Sequence, residues 1–177
     1  MKVNLTLLIL LSFWSCKESE IKKIIYTFPN GQVGEVRFYN SQSDTTTYRK
    51  EVFYSSGKKG YVGQINKEKK NGTWIWWYPN GQKKDQCSYK DGVYIDTVFH
   101  WSKTGKLFQI EIVSGQKVLE NECCNCNGTI IRYYENGKKK EEFTNIKGQF
   151  QGYSYRWDSL GTLINSTLYK NNEVVKQ

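Results

Sequence analysis

Asn30-Gly31, Ser56-Gly57, Asn80-Gly81, Thr104-Gly105, Asn136-Gly137 and Leu160-Gly161 recur along the chain at steps of 26, 24, 24, 32 and 24 residues, glycine to glycine. Self-similarity at such a period marks copies of one small unit, each unable to bury its apolar face alone and each resting on its neighbours. The chain therefore reads as six copies of one element, numbered here after their turn glycines.

Counting back from each glycine gives three columns. Four residues before stand Phe53, Trp77, Trp101, Tyr133 and Trp157; six before, Glu51, Ile75, Phe99, Ile131 and Tyr155; eight before, Arg49, Thr73, Thr97, Thr129 and Tyr153. Steps of two place all three columns on one face of a strand. Stacked copies would then carry an aromatic ladder, expected to be buried along Trp77, Trp101, Tyr133 and Trp157, beside β-branched and aromatic columns that cross-strand pairing favours.

At each glycine the strand meets a turn, and Asn-Gly is a strong short hairpin signal because both residues tolerate positive φ. A second strand follows and closes at Asp91-Gly92, Ser114-Gly115, Lys147-Gly148 or Asn171-Asn172. With 15% aromatic residues, 15 glycines and two prolines, but few other large apolar residues, the composition suits many short strands without a thick two-layer core. The expected fold is all-β, an antiparallel meander in a single-layer elongated sheet. End copies of such arrays are atypical, and here Thr27 takes the first ladder position while Arg49 and Glu51 are charged. Ser41 to Thr47 reads as a polar insertion in the first connection.

Gly72-Thr-Trp-Ile-Trp-Trp-Tyr-Pro-Asn-Gly81, Gly128-Thr-Ile-Ile-Arg-Tyr-Tyr-Glu-Asn-Gly137 and Gly152-Tyr-Ser-Tyr-Arg-Trp-Asp-Ser-Leu-Gly161 resemble the bacterial MORN-repeat variant: glycine, aromatic, two residues, aromatic pair, two residues, glycine. The resemblance covers roughly residues 70–175 well and 24–69 poorly. It implies stacked MORN-like hairpins. Many chains with this pattern are catalogued as YwqK-like antitoxins, which implies a toxin as one candidate partner.

Before the repeats, Met1-Lys2 is a basic start and Val3 to Trp14 an apolar run. A membrane span needs about 20 apolar residues, so this shorter run reads as a signal-peptide core. Ser15-Cys16 at its end resembles the bacterial lipobox, although Phe13-Trp14 stand where that pattern prefers an aliphatic residue and then a small one. The resemblance implies cleavage before Cys16 and lipidation of its thiol. The organisation is then a signal peptide over 1–15, a lipid-anchored tether over 16–23 and a repeat domain over 24–177 with an insertion near 116–127. The protein would sit on a membrane of the bacterial cell envelope, on the periplasmic or the surface side.

Catalytic patterns are sparse. The chain's one histidine, His100, has Asp96 and Ser102 nearby, yet all three lie at two-residue steps on one strand and cannot wrap around a substrate. With no Gly-rich phosphate loop and no HExxH helix, no enzyme and no cofactor are expected. Cys87, Cys123, Cys124 and Cys126 are disulfide candidates in an oxidising envelope, three of them in the long fourth step, where a staple would pin the insertion. Their spacing is not a zinc pattern, and no metal is assigned; a soft-metal thiolate site is the alternative.

Two surfaces are candidate binding sites. Trp74, Trp76 and Tyr78, with Tyr134, form an aromatic patch on the face opposite the ladder, which reads either as a recognition surface or as one covered by another part of the chain. Lys58, Lys59, Lys83, Lys84, Lys106, Lys138, Lys139 and Lys140 follow their turn glycines and would line one edge, either keeping the sheet soluble or meeting an anionic partner. The formal charge of +9 suits anionic lipid or glycan, and an exported chain has no expected nucleic-acid partner. The leading expectation is a non-catalytic protein-binding module; an antitoxin or immunity protein and a binder of anionic headgroups or glycans are the alternatives. Replacing the lipobox thiol by Cys16→Ser should leave a soluble or unprocessed product on fractionation, and a fully processed, membrane-bound variant would refute lipidation.

Overall fold

The computed structural model describes residues 20–113 and 127–175. Among them, thirteen strands lie in chain order in one antiparallel sheet. The first hairpin pairs β1 (Ile21–Thr27) with β2 (Val33–Tyr39), and the second β3 (Thr47–Phe53) with β4 (Lys59–Asn66). The third pairs β5 (Lys69–Trp77) with β6 (Lys83–Lys90), and the fourth β7 (Val93–Trp101) with β8 (Leu107–Val113). After the insertion come β9 (Gly128–Tyr133) with β10 (Lys139–Ile146), then β11 (Gln149–Trp157) with β12 (Leu163–Lys170) and the short β13 (Glu173–Val174). Val113 pairs with Gly128, so the strands on either side of the insertion are neighbours in the sheet. The expected meander is present, and every substantial contact is between strands adjacent in the sheet.

The turns divide into two kinds. At the repeat glycines only the glycine has positive φ, 94° at Gly81 for example, whereas Asn80 does not. Tyr78 N–H donates to the Gln82 carbonyl and Gly81 N–H to the Tyr78 carbonyl, each at 2.8 Å. The register slips by one between Trp76 and Trp77. This is a wider turn closed by a glycine bulge, not the two-residue turn expected from Asn-Gly. Two-residue turns occur at the other edge instead, where Asp91-Gly92, Lys147-Gly148 and Asn171-Asn172 all have positive φ. Lys67-Glu68 adopts the same geometry without any glycine or asparagine to announce it. Ser114-Gly115 lies outside the described residues.

Consecutive Cα partners run across the sheet from Val36 through Glu51, Val62, Ile75, Gln86, Phe99, Ile110, Ile131 and Glu142 to Tyr155. Trp77, Trp101, Tyr133 and Trp157 lie two residues further along and share that face, so the sequence columns are real. Their burial is not as expected: all four rings are only half-buried. No described element lies across the ladder face to cover it.

The buried cluster is on the opposite face, where Trp74, Cys87, Tyr89, Val98 and Val113 meet. Trp74 is 2% exposed. Its indole lies over Gly63 of the adjacent strand, where a Cβ would come within 2.0 Å of the ring. Tyr61 and Trp76 stack on it at 5.9 and 5.8 Å, and its Nε1 donates to the Gln64 carbonyl at 3.2 Å. A missing side chain beneath a flat ring is how a one-layer sheet creates an interior.

Nine residues before their turn glycines, Gly72 and Gly152 have φ of 65° and 74° beside a register shift. In β7 the same position is Asp96, at φ 69°. An L-residue there is strained by about 1–2 kcal/mol. Asp96→Gly should therefore raise stability by about 0.5–1 kcal/mol in urea unfolding, since glycine gives back part of the gain as unfolded-state entropy. An unchanged or lower midpoint would show that the Asp96 carboxylate, which accepts from Thr97 Oγ1 at 3.0 Å, offsets the strain.

Candidate binding face

Along the ladder, each aromatic residue is paired with the residue two after its turn glycine: Phe53 with Lys59, Trp77 with Lys83, Trp101 with Leu107, Tyr133 with Lys139 and Trp157 with Leu163. The result is a row of alternating rings and long side chains. Each lysine leans forward onto the next copy's ring: Lys59 Nζ is 5.9 Å from the Trp77 centroid, Lys83 4.8 Å from Trp101 and Lys139 4.9 Å from Trp157. A member of the second column, or the cross-strand partner of one, holds each ammonium in place. Glu51 lies 3.3 Å from Lys59, Gln86 3.0 Å from Lys83 and Glu142 2.7 Å from Lys139. Ring–cation contacts of this partly exposed kind contribute about 0.5–1 kcal/mol each.

A second set of bonds stitches turn to turn. Tyr54, Tyr78 and Tyr134 donate their hydroxyls to the carbonyls of Trp77, Trp101 and Trp157 at 2.8, 3.0 and 2.8 Å. Asn30, Asn80 and Asn136 donate Nδ2 to the carbonyls of Ser55, Lys103 and Ser159 at 2.7–2.8 Å. Lys58 reaches the Asn80 carbonyl at 3.2 Å, Lys138 the Leu160 carbonyl, and Lys106 pairs with Glu135 at 3.9 Å.

These contacts redistribute both expected surfaces. The lysines do not form one free basic edge. Lys58, Lys106 and Lys138 belong to the turn seam and Lys59, Lys83 and Lys139 to the ladder face, while Lys84 pairs with Asp85 at 3.3 Å and Lys140 lies 5.6 Å from the Tyr134 ring. The aromatic patch is likewise dispersed: Trp74 is the centre of the buried cluster, Trp76 packs against it, and Tyr78 and Tyr134 spend their hydroxyls on the seam.

On the face opposite the ladder, His100 meets neither Asp96 nor Ser102. Its Nδ1 is 2.7 Å from Asp85 Oδ1 on β6, and its Nε2 is 3.4 Å from Glu111 Oε1 on β8. Gln109 donates to Glu111 at 2.6 Å, Arg132 donates to Gln109 at 3.0 Å, and Arg132 also pairs with Glu141. A polar network thus spans β6 to β10. Asp85 and Glu111 are 15 and 11 residues from His100 in sequence, and only the hairpin register brings them together.

Residues 70–91 and 127–144 match the family model of the MORN repeat variant. These stretches are the third and fifth hairpins, with the ladder residues Trp77, Lys83, Tyr133 and Lys139 inside them. No curated protein matches the chain.

Outside the matched MORN hairpins, the second copy explains its own irregularity. Arg49 pairs with Glu51 and with Glu20 (2.7 Å) and lies 3.9 Å over the Phe38 ring. Arg49, Glu20 and Phe38 line a shallow cleft of about 270 Å³ with Gln64 and Thr73. Among the cysteines Cys87 is 3% exposed, and Cys123, Cys124 and Cys126 lie outside the described residues. Among the described residues, no group of histidine, cysteine and carboxylate side chains is arranged to hold a metal.

Burial opposes the His100 imidazolium, but hydrogen bonds and charge from Asp85 and Glu111 outweigh it, and the pKa is pushed up to about 9 from an ordinary 6.5. Asp85 shows the reciprocal effect: burial raises its carboxyl, and His100 and Lys84 more than offset this, holding it below the usual 3.8. The raised histidine contributes stability fully below about pH 6.5 and loses it as pH climbs to about 9. The loss should be roughly 1–2 kcal/mol after allowance for partial exposure. Urea unfolding of wild type and His100→Gln at about pH 6 and about pH 9.5 should show an extra alkaline loss in wild type alone. Equal losses in both proteins would contradict the clamp.

Proposed function

We propose that the chain is a cell-envelope lipoprotein, anchored through Cys16, whose MORN repeats form a non-catalytic protein-binding module. The observation that carries this reading is the ladder face: a regular row of half-buried aromatic rings over β3 to β12 with no described element lying across it. Isolated surface hydrophobes are ordinary, but a contiguous aromatic strip marks an interaction surface. The opposite face supports the assignment by contrast, because Tyr61, Trp74, Trp76, Tyr89 and Tyr94 are consumed in the Trp74 cluster and the charges around His100 pair with one another.

A binding role also fits the polar network better than catalysis does. His100 is tied to Asp85 and Glu111 on the neighbouring strands, so its ring nitrogens are spent within the sheet. A free lysine edge receives little support, since Lys58 and Lys138 donate to backbone carbonyls of the next copy.

Two exposed apolar positions separate the faces. Ile112 lies on the ladder face and is 44% exposed, whereas Phe108, near His100, is 41% exposed on the other. A photoreactive residue placed at Ile112 in living cells should yield one dominant protein adduct, reduced in the Trp77→Ala/Trp157→Ala double variant. Placed at Phe108 it should yield little. An adduct formed only from Phe108, or none from either site, would overturn the reading.

A further inference from the structure

Three copies place a lysine on the next copy's tryptophan, but they do not hold it in the same way. Lys59 and Lys139 each meet a carboxylate, Glu51 on the preceding strand for the first and Glu142 on its own strand for the second. Lys83 occupies the equivalent place over Trp101, and where copy five has Glu142 it meets Gln86 instead. An amide oxygen satisfies one ammonium proton but leaves the charge uncompensated, and among the described residues no carboxylate forms an ion pair with Lys83. The one uncompensated ammonium of the row therefore sits near its middle. Leu107 is the cross-strand partner of Trp101, and Phe99 lies 5.9 Å from the Trp101 ring, stacked on it.

We propose that Lys83 on Trp101 is the anchor for a glutamate or aspartate side chain of a protein partner, which does for Lys83 what Glu51 and Glu142 do from within the chain for Lys59 and Lys139. The inference rests on the ladder face being the binding face. The partner's chemistry follows from the surroundings: a carboxylate at Lys83, with apolar side chains beside it to meet Leu107, Phe99 and the neighbouring Ile110. An acidic, amphipathic segment has both. The anchor is a partly shielded, charge-assisted contact, and such contacts are stronger than neutral hydrogen bonds.

The repeat supplies its own control. Gln86→Glu installs the carboxylate that copy five carries at the same place, Glu142, so it should fold normally while closing the anchor. The probe is a synthetic peptide with a glutamate set among leucines, together with its glutamine counterpart, titrated against the full chain in detergent. The glutamate peptide should bind, and its glutamine counterpart should bind about tenfold more weakly. Gln86→Glu and Lys83→Met should each weaken the glutamate peptide by about tenfold, with melting temperatures moved by no more than about 2–4 °C. Equal binding by Gln86→Glu and wild type, or binding of neither peptide, would overturn the proposal. So would binding of a uronate oligosaccharide while both peptides stay inert. If the Ile112 adduct persists in Gln86→Glu, the ladder face stands as the binding face and the carboxylate anchor falls.

Discussion

Backbone pairing holds these strands side by side, but it gives a single-layer sheet no interior. Each residue on either face must therefore find its stabilising neighbour sideways, on the next strand, within the spacing of about 4.8 Å that the ladder sets. Most of what distinguishes this structure follows from that restriction. Lysines lie flat across rings, phenols reach to the next copy's carbonyls, and Trp74 gains an interior only because Gly63 has no side chain. Local exchange between neighbours replaces a common core, as in other repeat arrays.

The same restriction explains what could be read from the sequence. Copy number, hairpin positions and the three columns were legible because each is a matter of period. Burial was not, since a column says which residues share a face and not whether anything lies over it. Trp77, Trp101, Tyr133 and Trp157 line up as the spacing required and yet remain half-buried. Trp74 was legible as an aromatic on the other face, but its burial depends on Gly63, eleven residues earlier and across a turn at Lys67-Glu68 that no glycine or asparagine marks. His100 shows the same limit. Its partners become visible only when the chain is folded onto the hairpin register.

Departures from the repeat are more informative than the repeat itself. Arg49 and Glu51 look misplaced as members of the columns, but they form one ion-paired group with Glu20 and Lys59. Asp96 stands where other copies place a bulge glycine. Gln86 stands where the fifth copy places the carboxylate of Glu142. In a structure where most positions are set by their neighbours, the position that leaves a neighbour unsatisfied is the natural place to look for a ligand.

The turn seam has a direction: donors in one copy point to carbonyls of the next. It is also interrupted. At the fourth copy, Ser102 and Thr104 replace the tyrosine and asparagine and bond each other at 2.7 Å. At the sixth, Asp158 turns inward to accept from Leu160 and Thr162 at 2.9 and 2.8 Å. Along this edge the array is thus two stitched segments, copies one to four and five to six, joined where the longest step falls, with Lys106 and Glu135 as the side-chain link. Such an edge is not uniformly stiff. A twist applied to the whole ribbon meets the least side-chain resistance at that junction, where backbone pairing of β8 with β9 carries the connection.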